Sequence, residues 1–348
     1  MSRRSPACST DATAPYRFPV HIDEFAYDLP VGLIAQHPAE PRDASRMLVD
    51  LDGTVEHRRT GELASFVRPG DLLVVNDTRV LPGRIRFRRD SGGAAEVLLL
   101  EERREAVWEA LVRPSRKLPP GTRVEVGDDL CLEFADDLGE GRRLVRVETA
   151  DLLASLDVHG EMPLPPYITE RLTDPSRYQT VYAERAASAA APTAGLHLTP
   201  EVLDACVAAG GAVAHVELMV GLDTFRPIAV ENVADHVMHT ERYSVPVATW
   251  EAVRRASRVI AVGTTSVRAL ESAAARGDLA GRTDLFIRRP YPFAVVDVLF
   301  TNFHLSRSSL LVLVDAFIGP RWRELYATAI AEQYRLLSFG DAMLVARR

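Results

Sequence analysis

One short segment of the chain combines hydroxyl, amide, imidazole and carboxylate groups with an apolar run. In Val295–His304, Asn302 and His304 follow an apolar strand pattern on alternate positions, and Asp297 interrupts that pattern. A buried carboxylate needs a partner, so Asp297 is expected to pair with an arginine or a hydroxyl. An isolated histidine is usually structural, but this polar cluster makes a catalytic role for His304 an equally good interpretation.

A second segment, Val259–Arg268, predicts a buried strand that runs into a glycine and three hydroxyl residues and then into a helix. Free backbone N–H groups at a helix start favour a bound anion. The segment lacks the lysine of a phosphate-binding loop and the G-x-G-x-x-G spacing. An anion site and a plain strand–helix turn therefore both remain open, and the turn is the simpler interpretation.

Two further polar groups are less specific. Small residues surround Thr193 and His197 just before a predicted helix, and they would let a ligand approach the backbone or would merely form a Pro-Gly turn. Asn76, Asp77 and Arg79 follow the run Leu72–Val75. A side-chain turn with an internal Asp77–Arg79 ion pair is the favoured interpretation there.

Metal and thiol chemistry are not indicated. Cys8, Cys131 and Cys206 are widely spaced and odd in number, so they predict neither a disulfide framework nor a C-x-x-C metal site. The histidines nearest to ligand spacing are His236 and His239, for which a solvated face is the better interpretation. We expect no metal.

The elements that must position these groups change in type along the chain. Short strands separated by turns, with period-2 alternation, predict a small antiparallel barrel in residues 71–149. Its expected strands are Leu72–Val75, Gly83–Arg88, Ala95–Leu100, Val107–Val112, Arg123–Val126, Cys131–Phe134 and Leu144–Glu148.

Beyond residue 190, strands alternate with helices, which predicts an α/β layered domain with a largely parallel sheet. Thr199 as N-cap and Pro200 open a helix that Gly210 closes. The other expected elements are a strand at Ala212–Val220, a helix from Trp250, a strand at Val259–Val262, a helix at Ser266–Arg276, strands near Asp284–Ile287 and Val295–Phe300, and helices at Leu310–Phe317 and Trp322–Leu336. We expect a layered α/β domain of residues 21–70 and 150–348 that carries the inserted β-barrel domain, with a cleft between them.

Composition limits the cellular setting. The 348 residues are 47% hydrophobic and 26% charged, with a formal net charge of −7, as is typical of a globular protein of about two domains. The longest apolar candidate, Leu310–Val314, is far shorter than the roughly 18 residues of a membrane span. Residues 1–20 are polar where a signal peptide needs apolar residues, so we expect a disordered arm, no membrane contact and a cytoplasmic location.

A set of motifs occurs in one order over about residues 22–346 and is far more specific than any single segment. The motifs are Phe25–Pro30, Leu33–Gln36, Asn76–Val80, Met162–Ile168, Tyr178–Tyr182, Ala191–His197, Met238–Glu241, Val262–Arg268, Thr301–Leu305 and Ser338–Met343. In this order they closely resemble the S-adenosylmethionine:tRNA ribosyltransferase-isomerases of queuosine biosynthesis.

The resemblance implies an enzyme that uses S-adenosylmethionine as a ribosyl donor. The family transfers and isomerises the ribosyl group onto 7-aminomethyl-7-deazaguanine at the wobble position of tRNA, which gives epoxyqueuosine and releases adenine and methionine. The site would need a base, a proton donor for adenine, a carboxylate near the sulfonium and exclusion of water. The implied partner is tRNA, bound through its anticodon loop, and we expect a monomer.

On this resemblance we predict that His197 and His304 transfer protons and that Asp297 stabilises the sulfonium. Thr265, Ser266 and Arg268 would hold an anion, either the methionine carboxylate or a tRNA phosphate. The other predicted substrate-binding residues are Asn76, Asp77, Arg79, Tyr178, Gln179, Thr193 and Asn302.

Several motif positions depart from the family pattern. They are Glu161 and Met219 in place of histidines, Asp223 in place of glycine, Arg289-Pro290 in place of Pro-Gly, Leu305–Ser309 in place of Leu-Pro-x-Ser-Thr, and Asp315 in place of serine. These changes keep two alternatives open, namely a paralogue with a small-molecule acceptor and a non-catalytic protein that binds S-adenosylmethionine or RNA.

The net charge bears on the same question, because a tRNA-binding protein usually has a basic surface. Two local groups of cations could supply one, or could simply be solvated surface: Arg84, Arg86, Arg88 and Arg89, and Arg113, Arg116 and Lys117. Anticodon-loop recognition also depends on shape and splayed bases, so the net charge does not decide the matter.

Overall fold

The computed structural model describes residues 20–221 and 226–348, with the side chains of 185–187 left out. Its strands in chain order are β1 Arg46–Asp50, β2 Glu56–Arg59, β3 Asp71–Asn76, β4 Thr78–Val80, β5 Arg84–Arg88, β6 Ala94–Arg104, β7 Val107–Arg113, β8 Arg123–Gly127, β9 Leu130–Gly139, β10 Arg142–Glu148, β11 Gly160–Glu161, β12 Arg185–Ser188, β13 Ala212–Leu218, β14 Glu241–Ser244, β15 Arg258–Val262, β16 Ala280–Thr283, β17 Val298–Asn302 and β18 Ala342–Ala346. The helices are α1 Leu152–His159, α2 Pro200–Ala208, α3 Val247–Arg255, α4 Gly263–Arg276, α5 Ser309–Ile318 and α6 Trp322–Ala331.

A nine-stranded sheet forms the larger layer, in the order β16-β14-β13-β3-β15-β17-β18-β1-β2. Strands β13, β3, β15 and β17 pair in parallel, as does β18 with β1, whereas the other pairs are antiparallel. The sheet is therefore mixed, and the expectation of a largely parallel sheet holds only for its centre. Buried apolar residues cover both faces of the central strands, which explains their continuous apolar runs.

Local sequence signals place two helices against this sheet. The Thr199 hydroxyl accepts a hydrogen bond from the Val202 amide at 3.3 Å, which confirms the predicted cap of α2. Helix α4 begins at Gly263, earlier than expected, because Gly263 has φ +85°, a conformation that favours glycine at the sharp strand–helix junction. Gly277, with φ +74°, ends α4 as predicted.

The second layer is a seven-stranded antiparallel sheet in the order β11-β5-β6-β7-β10-β9-β8. Its hydrophobic core is formed by its own strands and by Leu156 of α1. The antiparallel sheet is confirmed, but within the described residues its edge strands β11 and β8 do not pair, so the predicted barrel is an open, curled sheet. The run Leu72–Val75 is a strand as predicted, but it belongs to β3, at the centre of the nine-stranded sheet, and not to the barrel.

Other expected elements differ in detail. The strand predicted near Asp284–Ile287 is wrong. The strand in this part of the chain is β16, which ends at Thr283 and pairs with β14. The last helix ends at Ala331, because the chain turns before joining β18. The expected N-terminal arm lies outside the described residues except for Val20, which is buried. Among the described helices, none is long and apolar enough to cross a membrane.

Candidate functional site

Three of the predicted site residues meet at the carboxyl end of β17. Asn302 ends this strand, and the short 3₁₀ helix Thr193–His197 lies against it. The parallel neighbour β15 leads into the first turn of α4 at the same edge of the sheet. The Thr193 hydroxyl donates to Asn302 Oδ1 at 3.0 Å, and Asn302 Nδ2 donates to His197 Nε2 at 2.9 Å. Because His197 Nε2 accepts this bond, the proton of its neutral ring lies on Nδ1.

His304 lies beside this network and its backbone is held from two sides. Its amide donates to the Tyr326 hydroxyl at 2.8 Å, and its carbonyl accepts from the Tyr27 hydroxyl at 2.7 Å. Its ring Nε2 lies 2.9 Å from the hydroxyl of Thr301. The sequence did not point to either tyrosine as a site residue, although Tyr27 belongs to the Phe25–Pro30 motif.

Burial determines the charge of the two histidines. Desolvation lowers the pKa of His304 to about 3. Desolvation also lowers the pKa of His197 to about 3, with a smaller contribution from the positive charges of Arg335 and Arg42. Both rings are therefore neutral at pH 7, and burial disfavours their protonation, so each acts through the hydrogen bonds of its neutral form.

The first turn of α4 forms the facing wall of this edge. Thr265 is almost fully buried, and its hydroxyl has no hydrogen-bond partner among the described residues. The Ser266 hydroxyl instead donates to the carbonyl of Val262 at 2.8 Å, one turn earlier. Of the two hydroxyls, that of Thr265 thus lacks an internal partner among the described residues. Two small cavities, each of about 20–30 Å³, lie here against Thr193, Asn302 and His304.

A larger cavity of about 290 Å³ lies between the two sheets. Val220 lines both this cavity and one of the small cavities at the sheet edge, so the two places adjoin. Residues of β6, β7 and β10 form one wall, and residues of the Met238–Glu241 motif with Met219–Gly221 form the other.

An internal ion pair organises that second wall. Arg268 donates through Nη1 to Glu241 Oε2, and Glu241 Oε1 accepts from the Gly221 amide at 3.0 Å. Burial lowers the pKa of the Arg268 guanidinium to about 10, which leaves it charged at pH 7. Arg268 is therefore engaged with Glu241, and this carboxylate, which sequence reasoning passed over within its motif, lines the cavity.

Asp297 is not part of this site. It precedes β17, whereas Asn302 ends it, so about 16 Å of extended strand separates the two residues. Its side chain is 38% exposed, accepts a hydrogen bond from the Val259 amide at 2.9 Å and pairs with Arg347 at 3.3 Å. The expectation of a buried carboxylate was wrong because Asp297 lies at the strand start.

Three other predicted binding residues are used internally. The Asn76 side chain exchanges hydrogen bonds with the backbone of Leu218, which ties β3 to β13. The Gln179 amide does the same with Val80, at 2.9 and 2.7 Å. Tyr178 is fully buried against Phe339, and this burial raises the pKa of its hydroxyl.

The expected Asp77–Arg79 pair is wrong. Asp77 Oδ2 instead lies 3.4 Å from His215 Nδ1, and this contact raises the pKa of His215. The reason is register: His215 of β13 pairs with Val75 of β3, so its ring reaches the carboxylate that follows that strand. Arg79 is exposed.

The structure explains several of the departures from the family pattern. Asp315 is completely buried and accepts from Arg289 at 2.7 and 3.2 Å and from Trp322 Nε1 at 3.1 Å. The two unusual residues thus compensate each other, away from the site. Glu161 pairs with Arg86 at 3.0 Å.

The remaining departures from the family pattern lie at the start of a helix, in the larger cavity and outside the described residues. Ser308 caps α5 through a hydrogen bond from the Leu311 amide at 3.2 Å. Met219 lines the larger cavity, and Asp223 lies outside the described residues. Across residues 20–221 and 226–348 no group of three or more His, Cys, Asp or Glu side chains could hold a metal ion.

Comparisons with known proteins bear on this arrangement. A family model described as "Queuosine biosynthesis protein" matches residues 22–345. The chain is 51% identical to the S-adenosylmethionine:tRNA ribosyltransferase-isomerase of Rubrobacter xylanophilus, over 94% of this chain and 98% of that protein. It is 48% identical to the protein of that name from Synechococcus elongatus, over 93% and 96%. The crystal structure of S-adenosylmethionine tRNA ribosyltransferase from Thermotoga maritima is similar, with TM-score 0.53 and 36% identity, and the match covers 92% of this chain and 99% of that one.

Proposed function

This chain belongs to the queuosine-biosynthesis family, and we propose that it is an S-adenosylmethionine:tRNA ribosyltransferase-isomerase that forms epoxyqueuosine in tRNA. The observation that carries the proposal is the convergence of separate motifs on adjoining cavities. Thr193, Thr265, Asn302 and His304 line the sheet edge, and Glu241 lines the cavity between the sheets. These residues come from motifs that lie far apart in the chain.

We propose that the ribosyl donor lies across the larger cavity and the sheet edge. The larger cavity, about 290 Å³, is near the lower end of the roughly 300–1,000 Å³ typical of small-molecule sites, and the adjoining edge extends it. Glu241 replaces Asp297 as the carboxylate that lines the donor cavity, and it acts there as part of an ion pair with Arg268 rather than as a free charge. Its pairing with Arg268 fixes the carboxylate in position.

We propose that the first turn of α4 binds the methionine carboxylate. The unpaired Thr265 hydroxyl and the backbone N–H groups of a 14-residue helix are donors suited to an anion. This replaces the expectation that Ser266 and Arg268 share the task, because both side chains have internal partners.

For proton transfer we propose His304, with His197 in a positioning role. His304 lines both small cavities, and its ring, which burial keeps neutral, can pass a proton on but does not hold one. His197 is committed through Nε2 to Asn302, so it orients the amide that receives the Thr193 hydroxyl. Burial of this edge excludes bulk water from the reactive centre.

The two sheets have separate hydrophobic cores, and we propose that they are two domains with the donor between them. We also propose that the enzyme acts as a cytoplasmic monomer on the anticodon loop of tRNA. The paralogue alternative loses support, because Arg289 and Asp315 explain each other without any change in the site.

The decisive experiment measures adenine release from S-adenosylmethionine with tRNA that carries the aminomethyl base. We expect release that depends on this tRNA, and His304→Gln and Thr265→Val should each lower kcat/KM at least tenfold. Asp297→Asn is the matched control, since it changes a polar group at the opposite end of β17, and it should stay within twofold of the parent. Release with only a free deazapurine acceptor, or none at all, would overturn the proposal.

A further inference from the structure

One face of the seven-stranded sheet carries a row of arginines that the site does not use. In β5, Ile85 is in the core and Phe87 packs against it, so Arg84, Arg86 and Arg88 project from the other face. The register pairs Arg86 with Glu96, and Glu96 with Arg113 of β7. Directly paired residues share a face, so Arg113 of the second cation group lies on the same surface as the arginines of β5.

We call this surface the arginine face and define it by Arg84, Arg86, Arg88 and Arg113, together with Arg116 in the 3₁₀ turn that follows β7. Only Arg86 is neutralised, by Glu96 at 3.3 Å and Glu161 at 3.0 Å. Within the described parts of the chain, the other four arginines have no carboxylate at ion-pair distance.

The surface has the dimensions of a nucleic-acid backbone contact. Arg84 and Arg88 are four residues apart on one strand, which is about 14 Å, and β5 and β7 are two strands apart, which is about 10 Å. Guanidinium groups spread over such an area can contact several consecutive phosphates, each through paired N–H donors.

The arginine face borders a groove that leads to the donor cavity. This groove, about 860 Å³ in volume, is lined by Arg84, Arg86 and Arg113 and, on its other side, by the segment from Met162 to Pro175. Leu111 lines both this groove and the cavity of about 290 Å³. A polyanion on the arginine face therefore lies next to the entrance of the site.

We propose that the arginine face binds the sugar–phosphate backbone of the substrate tRNA outside the modified nucleotide. This inference rests on the proposed function, and it explains how a chain of net charge −7 holds a polyanion. The groove beside this face also contains carboxylates, namely Asp157, Glu161 and Glu170, of which Glu161 pairs with Arg86 and Glu170 with His37. Backbone contacts of this kind give affinity and register rather than base specificity.

The test compares two triple variants with equal loss of charge. The face variant is Arg88→Gln, Arg113→Gln and Arg116→Gln, all exposed residues. The control is Arg104→Gln, Arg254→Gln and Arg255→Gln, of which Arg104 lies at the far end of β6 and the other two on α3. Affinity for unmodified full-length tRNA is measured between 50 and 200 mM KCl, together with S-adenosylmethionine affinity and tRNA-dependent adenine release.

For the face variant we expect tRNA affinity at 50 mM KCl to fall at least tenfold. The slope of log K against log[salt] should become shallower by about 2–3, because three phosphate contacts are lost and each contributes roughly 0.7–0.9 to the slope. The KM for tRNA should rise, with kcat and donor affinity unchanged. Identical slopes and KM values for the two triple variants would overturn the proposal. Absence of adenine release by the parent enzyme, with the salt slopes still different, would instead count against the proposed function and support an RNA-binding face.

Discussion

The buried pair of Arg289 and Asp315 allows a quantitative test of the idea that two departures from the family pattern compensate each other. Asp315 is fully buried and receives two hydrogen bonds from Arg289, at 2.7 and 3.2 Å, and one from Trp322. Removing one partner of a buried ion pair leaves an uncompensated charge and costs about 3–5 kcal/mol, whereas removing both is often nearly neutral. Asp315→Ser and Arg289→Gln alone should each cost about 3–5 kcal/mol of unfolding free energy.

The double variant should cost only about 1–2 kcal/mol, because no charge remains buried and the serine hydroxyl still offers an acceptor to Trp322. Urea unfolding followed by circular dichroism gives the four free energies of the cycle, and equal m-values show that the same transition is compared. A coupling energy below about 0.5 kcal/mol would refute the reasoning. Adenine release at a temperature where all variants are folded should stay close to that of the parent, because the pair lies outside the site.

Three further predictions concern the sheet edge. Burial lowers the pKa of His304 to about 3, whereas the histidine of the unfolded chain takes up its proton near pH 6.5, so His304 makes the folded chain less stable as the pH falls from 6.5 towards 3. His304→Gln should therefore reduce the slope of the unfolding free energy against pH, between pH 4.5 and 6, by about 1.4 kcal/mol per pH unit. Equal slopes for the parent and the variant would contradict this prediction. Tyr27→Phe removes the hydroxyl that bonds to the His304 carbonyl, and it should lower the unfolding free energy in urea by about 0.5–1.5 kcal/mol. We also expect kcat to fall severalfold with KM unchanged. A change in KM alone would argue against the idea that Tyr27 positions His304. Gly195→Ala should lower the unfolding free energy by more than about 2 kcal/mol, because a Cβ at this position would lie 2.0 Å from the Tyr182 hydroxyl. Gly32→Ala is the control: a Cβ there meets nothing within 4 Å, so the unfolding free energy should change by no more than about 0.5 kcal/mol in the same thermal or urea assay.

The candidate site shows which inferences a sequence supports. Asn302 and His304 were predicted from their position after an apolar run, and Thr193 from the small residues around it. The structure places Thr193 beside the end of β17, where its hydroxyl bonds to Asn302. Asp297 shows the limit of this reasoning. Its place within an apolar run suggested burial, but the strand begins only at Val298, and strand boundaries depend on pairing that the sequence does not display.

Partners between distant segments could not be predicted from local pattern. Asp77 pairs with His215, not with the nearby Arg79, because a parallel register brings β13 beside β3. Glu241 was inconspicuous in its motif, and its ion pair with Arg268, 27 positions later in the chain, is visible only in the structure. The arginine face likewise joins two groups of cations that are separate in the sequence.

The sequence by itself determined the short-range features: the cap at Thr199, the glycine at Gly263, the alternation that marks the antiparallel strands, and the ordered motifs that indicate the family. These follow from backbone stereochemistry and hydrophobic period, which act within a few residues. Only the tertiary structure decided which strand joined which sheet, which carboxylate faces the site and which charges are already neutralised. Those outcomes depend on pairing register and on burial, both of which are set by residues far apart in the chain.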